Sequence, residues 1–143
     1  MSDVTRQTSL PAIETVVLVG HCGFDGSSIR RLVSQAVPDV EIVFANATRD
    51  LEEHRNHRSL WLVNRQLDGG FATHSGIDLI RESVGGDDAP LAMLVSNYED
   101  AQTQAEAAGA LPGFGKNALG APATTEALRR AVAGEAAVGD GAT

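Results

Sequence analysis

Between residues 14 and 134 the chain alternates short apolar runs with segments of helical spacing, and it does so five times. Four runs are plain: TVVLVG (15–20), VEIVFANA (40–47), SLWLVN (59–64) and PLAMLVSN (90–97). None shows a clean apolar–polar alternation, which is the pattern of strands buried on both faces, as in a parallel sheet. A fifth, shorter strand is read at 111–114, where Pro112 and glycines interrupt the apolar residues. Strict β-α repetition in a chain too short for an eight-stranded barrel predicts a doubly wound α/β sheet with helices on both faces.

The intervening segments carry their own start and stop signals. Ser27 or Ser28 is expected to cap a helix whose apolar face is Ile29, Leu32, Val33 and Ala36, stopped by Pro38. Thr48 is expected to cap a short helix containing Leu51. Ser75 or Gly76 opens a helix with Ile77, Leu79 and Ile80, which GGDD at 85–88 ends. An alanine-rich surface helix runs from Glu99 to Ala108, and Thr124 or Thr125 caps the last one, EALRRAVAG. The domain is placed at 13–134, and the polar, small-residue tails 1–12 and 135–143 are expected to be disordered.

Charge and cysteine content narrow the function classes. A formal charge of −8 opposes a phosphate backbone, and the arginines form no stripe, so nucleic acid is not an expected partner. The sole cysteine, Cys22, has no second thiol to pair with, and neither an export pattern nor a bilayer-length apolar stretch is present, so a cytoplasmic protein is expected. Lysine occurs once, at Lys116.

In open α/β sheets ligands sit beyond the carboxyl ends of the strands. Those ends are Gly20-His21, Asn46, Asn64, Ser96-Asn97 and Lys116. The first turn, GHCGFDGSS (20–28), has glycines spaced unlike either common nucleotide-binding loop, and is read as a tight β-α turn needing glycine at positive φ. His54 and His57 have a spacing compatible with metal ligation but sit in HRNHR, read as a solvated face. Cys22 beside His21 lacks a third, orienting group for nucleophilic catalysis.

Several of these stretches occur in an order that resembles the receiver domain of bacterial two-component response regulators, over about 14–134. SSIRRLV (27–33) resembles the start of a receiver's first helix. LWLVNRQLDGG followed by SGIDLIRE resembles the third strand, its loop and the third helix. PLAMLVSN resembles the fourth strand with its hydroxyl end, and AEAAGALPGFGKN the approach to the receiver lysine. The resemblance implies the flavodoxin-like fold with a five-stranded sheet in the order 2-1-3-4-5. In that family a third-strand aspartate accepts a phosphoryl group from a histidine kinase. Two acidic residues hold Mg²⁺ with it, and a hydroxyl and a lysine bind the phosphoryl oxygens.

Carried over by position, the phosphoacceptor is Asn64, whose amide has no anionic oxygen to attack phosphorus. Gly20 and His21 stand in place of the acidic pair, Ser96 and Lys116 match the phosphoryl-contact residues, and Asp25 or Asp68 could supply a displaced carboxylate. The loop after Asn64 is about four residues longer than is usual for such connections. The expectation is a degenerate receiver, or pseudo-receiver, with no catalytic residues and no Mg²⁺ or other cofactor. It would act in signal transduction by recognising a protein, such as a histidine kinase or other signalling protein, through YEDAQTQAEAAG, the fifth strand and ATTEALRRAVAG. The alternatives are a receiver phosphorylated through Asp25 or Asp68, and a flavodoxin-like small-molecule binder using GHCGFDGSS and ATHSG.

Overall fold

A computed structural model describes residues 13–134; both expected tails lie outside the described residues. Five strands, β1 (Thr15–Val19), β2 (Glu41–Ala45), β3 (Ser59–Asn64), β4 (Leu91–Val95) and β5 (Leu111–Phe114), form one parallel sheet in the order β2-β1-β3-β4-β5. Four α-helices cross over them: α1 (Gly23–Ala36), α2 (Gly76–Ser83), α3 (Glu99–Ala107) and α4 (Pro122–Ala133). This is the doubly wound architecture and strand order expected from the sequence.

The lack of alternation within the apolar runs has a direct structural cause. Successive residues of the central strands point to opposite faces, and both faces are covered. Val16, Leu18, Leu60 and Leu62 meet Ile29 and Val33 of α1 and Leu128 of α4 on one side. Val17, Val19, Trp61 and Val63 meet Ile80 of α2 and Ala105 of α3 on the other. No helix among the described residues is long and apolar enough to cross a membrane.

Helix starts depart from the sequence expectations in instructive ways. Helix α1 begins at Gly23, four residues before Ser27, because Cys22 caps it: its Sγ accepts from the Asp25 N–H at 3.5 Å. Ser28 instead lies inside the helix and bonds back to the Phe24 carbonyl. The stretch GHCGFDGSS is therefore mostly helical. Gly20 alone takes positive φ, at 74°, whereas Gly26 sits in the helix and allows the Phe44 ring close approach. At α4, Ala121 is the N-cap and Pro122 occupies the first turn, displacing Thr124 and Thr125 from that role. Ser75 does cap α2, accepting from the Asp78 N–H at 3.2 Å.

The second crossover is a 3-10 helix, Thr48–His54, in which only Leu51 is buried. Thr48 does not cap it; its hydroxyl accepts from the Ala72 N–H at 2.8 Å. The segment is held from its far end. Trp61 Nε1 donates to the His54 carbonyl at 3.1 Å, and the Arg55 guanidinium lies 5.4 Å from the Trp61 ring centre while donating to Ser83. His54 and His57 do not act together: the His57 main-chain N–H and ring both engage Asp88.

At the opposite edge, β4 and β5 pair Met93 with Leu111 and Val95 with Phe114, so β5 carries one extra residue. The Gln102 side chain fills this irregularity, its amide nitrogen facing the carbonyls of Leu94 (2.9 Å), Ser96 (3.1 Å) and Phe114 (3.3 Å).

Leu62 is fully buried on the central strand β3, between β1 and β4. Leu62→Ala should lower unfolding free energy by about 2–5 kcal/mol, read as a reduced urea midpoint with an unchanged slope.

Candidate functional site

The carboxyl ends of β1 and β3 meet around one main-chain oxygen. Leaving β1, the chain turns at Gly20, whose carbonyl accepts from the Asn64 side-chain nitrogen at 2.9 Å and from the Asp68 N–H at 3.0 Å. The same Asn64 nitrogen donates to the Gln66 carbonyl at 2.8 Å. Both donor positions of this amide are thereby spent on carbonyls, one across the sheet and one in its own loop. A carboxylate at residue 64 would offer these carbonyls no hydrogen.

The long loop after β3 is folded over the strand ends. Gln66 and Ser75 form an antiparallel bridge, and the Leu67 N–H donates to the His74 carbonyl at 2.9 Å. Further on, Gly70 pairs with Ala47, its N–H donating to the Asn46 carbonyl at 2.8 Å. This flap drives Leu67, only 6% exposed, onto Gly20; a Cβ at residue 20 would meet the Leu67 side chain at 2.6 Å. The crevice between β1 and β3, where the strand order reverses, is thus closed by the chain's own leucine.

His21, next to Gly20, is 7% exposed, with Nε2 at 2.8 Å from the Leu62 carbonyl. A carbonyl accepts only from N–H, so the ring carries its proton on Nε2. Burial holds the His21 pKa below the ordinary histidine value, against a smaller upward effect of the Leu62 bond; Lys116 pushes it further down and Asp25 slightly up. The ring is neutral at neutral pH.

Asp25, in the first turn of α1, meets Lys116 at 2.8 Å. The hydrogen bond from Lys116 is the main cause of the lowered Asp25 pKa, outweighing partial burial. Lys116 is set by the segment around it: the Asn97 Oδ1 accepts from the Asn117 N–H at 2.9 Å, seating the short 3-10 turn Lys116–Ala118. Ser96 is buried, and its hydroxyl accepts from the Tyr98 N–H at 3.2 Å, helping to turn the chain into α3.

Hydrogen bonds link some of the sequence-predicted residues to one another. Asn64, Gly20 and the Asp68 main chain come together, Asp25 and Lys116 come together, and the Ser96 hydroxyl is engaged in its own turn. The Asp68 side chain is exposed and lines a cleft of 390 Å³ with His21, Cys22, Phe44 and Asn46. Among the described residues no three His, Cys, Asp or Glu side chains are grouped as a metal site. Sequence reasoning did not find Leu67 as the cover or Asp25 as the partner of Lys116; the extra length of the loop was the one signal for the first.

The fold is similar to solved receiver domains. The signal receiver domain of a DNA-binding response regulator from Colwellia psychrerythraea 34H superposes with a TM-score of 0.63 at 14% identity, over 84% of this chain and 98% of that one. A response regulator receiver domain from Rhodospirillum rubrum gives 0.52 at 13% identity, over 82% and 89%. A Burkholderia pseudomallei response regulator with a phosphorylated aspartic acid, calcium ion and citrate gives 0.53 at 17% identity, over 91% and 72%. No family model matches the chain, and no curated protein matches it. At these identities the likeness is one of fold.

Asn64→Asp should destabilise the fold by about 1–3 kcal/mol near neutral pH, because two donated hydrogen bonds give way to an acceptor facing two carbonyls. Urea unfolding of the variant checks this. A second expectation concerns acid. His21 and Asp25 both have lowered pKa values in the folded protein, so both oppose proton uptake on folding. Stability should fall as pH drops below about 6.5 through His21, and again below about 3.9 through Asp25. His21→Gln should remove the first decline and leave the second, measured as unfolding midpoints across pH.

Proposed function

We propose that this protein is a receiver-like signalling module that recognises another protein without phosphoryl transfer at the usual strand-end position. The fold likeness to response-regulator receiver domains supports a signalling role. The observation that carries the phosphorylation-independent part is the Asn64 amide nitrogen at the end of β3, donating to the Gly20 carbonyl where an acceptor carboxylate would stand. Phosphoryl transfer to a side chain needs an anionic oxygen, and Asn64 supplies none.

The residues near it fit magnesium poorly. Mg²⁺ takes hard oxygen ligands in octahedral array, often through one or two carboxylates. Here Gly20 brings no side chain, His21 is buried and bonded to Leu62, and Asp25 is engaged by Lys116. Asp68 remains as a displaced carboxylate, but its side chain faces the cleft beside Cys22 and Asn46, with Leu67 packed over Gly20. In this reading Lys116 is a structural cation bound to α1, and the protein works as a binding module and not as a catalyst. Recognition uses the outer surface of α3, β5 and α4.

Adding Mg²⁺ and beryllofluoride to the ¹⁵N-labelled protein tests the reading. The Ser96 and Lys116 amide resonances should stay in place, in the native chain and in Asn64→Asp alike. Saturable, magnesium-dependent shifts of those two amides in the native protein would overturn it.

A further inference from the structure

Between the N-terminal ends of α2 and α3 lies an open cleft of 740 Å³. Its floor is apolar, from Ile77 and Ala101, and one wall is Tyr98, which is 62% exposed. Arg65 also lines the cleft, its guanidinium 4.9 Å from the Tyr98 ring centre, so one cation faces the two carboxylates at the lip. Glu99 and Asp100 stand at the lip, and neither forms an ion pair among the described residues.

The molecule's charge is distributed unevenly around this cleft. Helix α3 carries Glu99, Asp100 and Glu106 and no basic residue. The exposed arginines of the helices on the other face, Arg30 and Arg31 on α1 and Arg129 and Arg130 on α4, lie behind the sheet. With a net charge of −8 overall, the long-range field favours approach of a cation, and the unpaired carboxylates sit where it would arrive. An exposed aromatic over an apolar floor supplies the short-range anchor that charge alone lacks.

We propose that the α2–α3 cleft is a docking site for a basic segment of a partner protein, one that places an apolar side chain on Ile77 and Ala101 and arginine or lysine beside Glu99 and Asp100. The inference rests on the reading of the protein as a recognition module and names the chemistry of what it recognises. It assigns contact to the α2 side of α3, a surface distinct from the α3-β5-α4 face considered above.

The test uses an acetylated decapeptide of alternating leucine and arginine, titrated into the ¹⁵N-labelled protein at low salt, with the leucine–glutamate peptide as control. The arginine peptide should produce saturable shifts confined to residues 65–77 and 98–104, and the glutamate peptide none. Glu99→Gln with Asp100→Asn should weaken binding about fivefold and Tyr98→Ala by a similar factor, with unchanged far-UV circular dichroism. Shifts spread over all carboxylate-bearing surfaces, an unaltered affinity in these variants, or no binding would overturn the assignment. Concentration-dependent shifts at the cleft without peptide would also overturn it, since a second copy would then be the occupant. The beryllofluoride experiment reports on Ser96 and Lys116 instead, so failure of the phosphorylation-independent reading is separable from failure of the cleft.

Discussion

One carbonyl oxygen ties together the carboxyl ends of β1 and β3. The Gly20 C=O stands at the end of β1 and receives both the Asn64 side chain from β3 and the Asp68 main chain from the flap. A strand-end carbonyl left unpaired under cover would cost free energy comparable to a lost hydrogen bond. Two donors satisfy it here, the Asn64 amide and the Asp68 N–H of the flap, and Leu67 packs on Gly20. A carboxylate in place of the amide could not donate to that oxygen. The amide at residue 64 and the flap thus meet on one oxygen.

The charged residues of this end are held in a different way. Lys116 pairs with Asp25 on α1 and so joins the segment after β5 to the start of the first helix. Both side chains are partly exposed, so the pair contributes modestly to stability and more to fixing geometry. His21 is the converse case. Bonded to Leu62, it is kept neutral chiefly by its burial.

The strands were the most legible part of the sequence. Runs such as TVVLVG and SLWLVN have few alternatives once both faces must be apolar, and their alternation with helical segments leaves little topological freedom. Helix starts were less legible. Cys22 outcompeted Ser27 and Ser28 as a cap because the turn at Gly20 delivers the chain directly into helix, and Ala121 with Pro122 displaced Thr124 and Thr125 in a similar way. In the second crossover, the polar stretch after Leu51 could not bury a helical face. It settled into a 3-10 turn held by Trp61 and Arg55.

The residue types at the strand ends are written in the sequence: a glycine and a histidine after β1, an amide at the end of β3 and a serine after β4. Periodicity and residue type act locally, so they determined the five strands, their burial and their order along the chain. Which side chains face one another is a property of the closed sheet. Asp25 and Lys116 are 91 residues apart and Asn64 and Gly20 are 44 apart, and only the strand order β2-β1-β3-β4-β5 and the fold-back of the 65–75 loop make them neighbours. The tertiary structure alone decided that Leu67 closes the crevice, that Lys116 is spoken for by α1, and that the open cleft lies instead between α2 and α3. Each depends on contacts across the sheet that no local signal encodes.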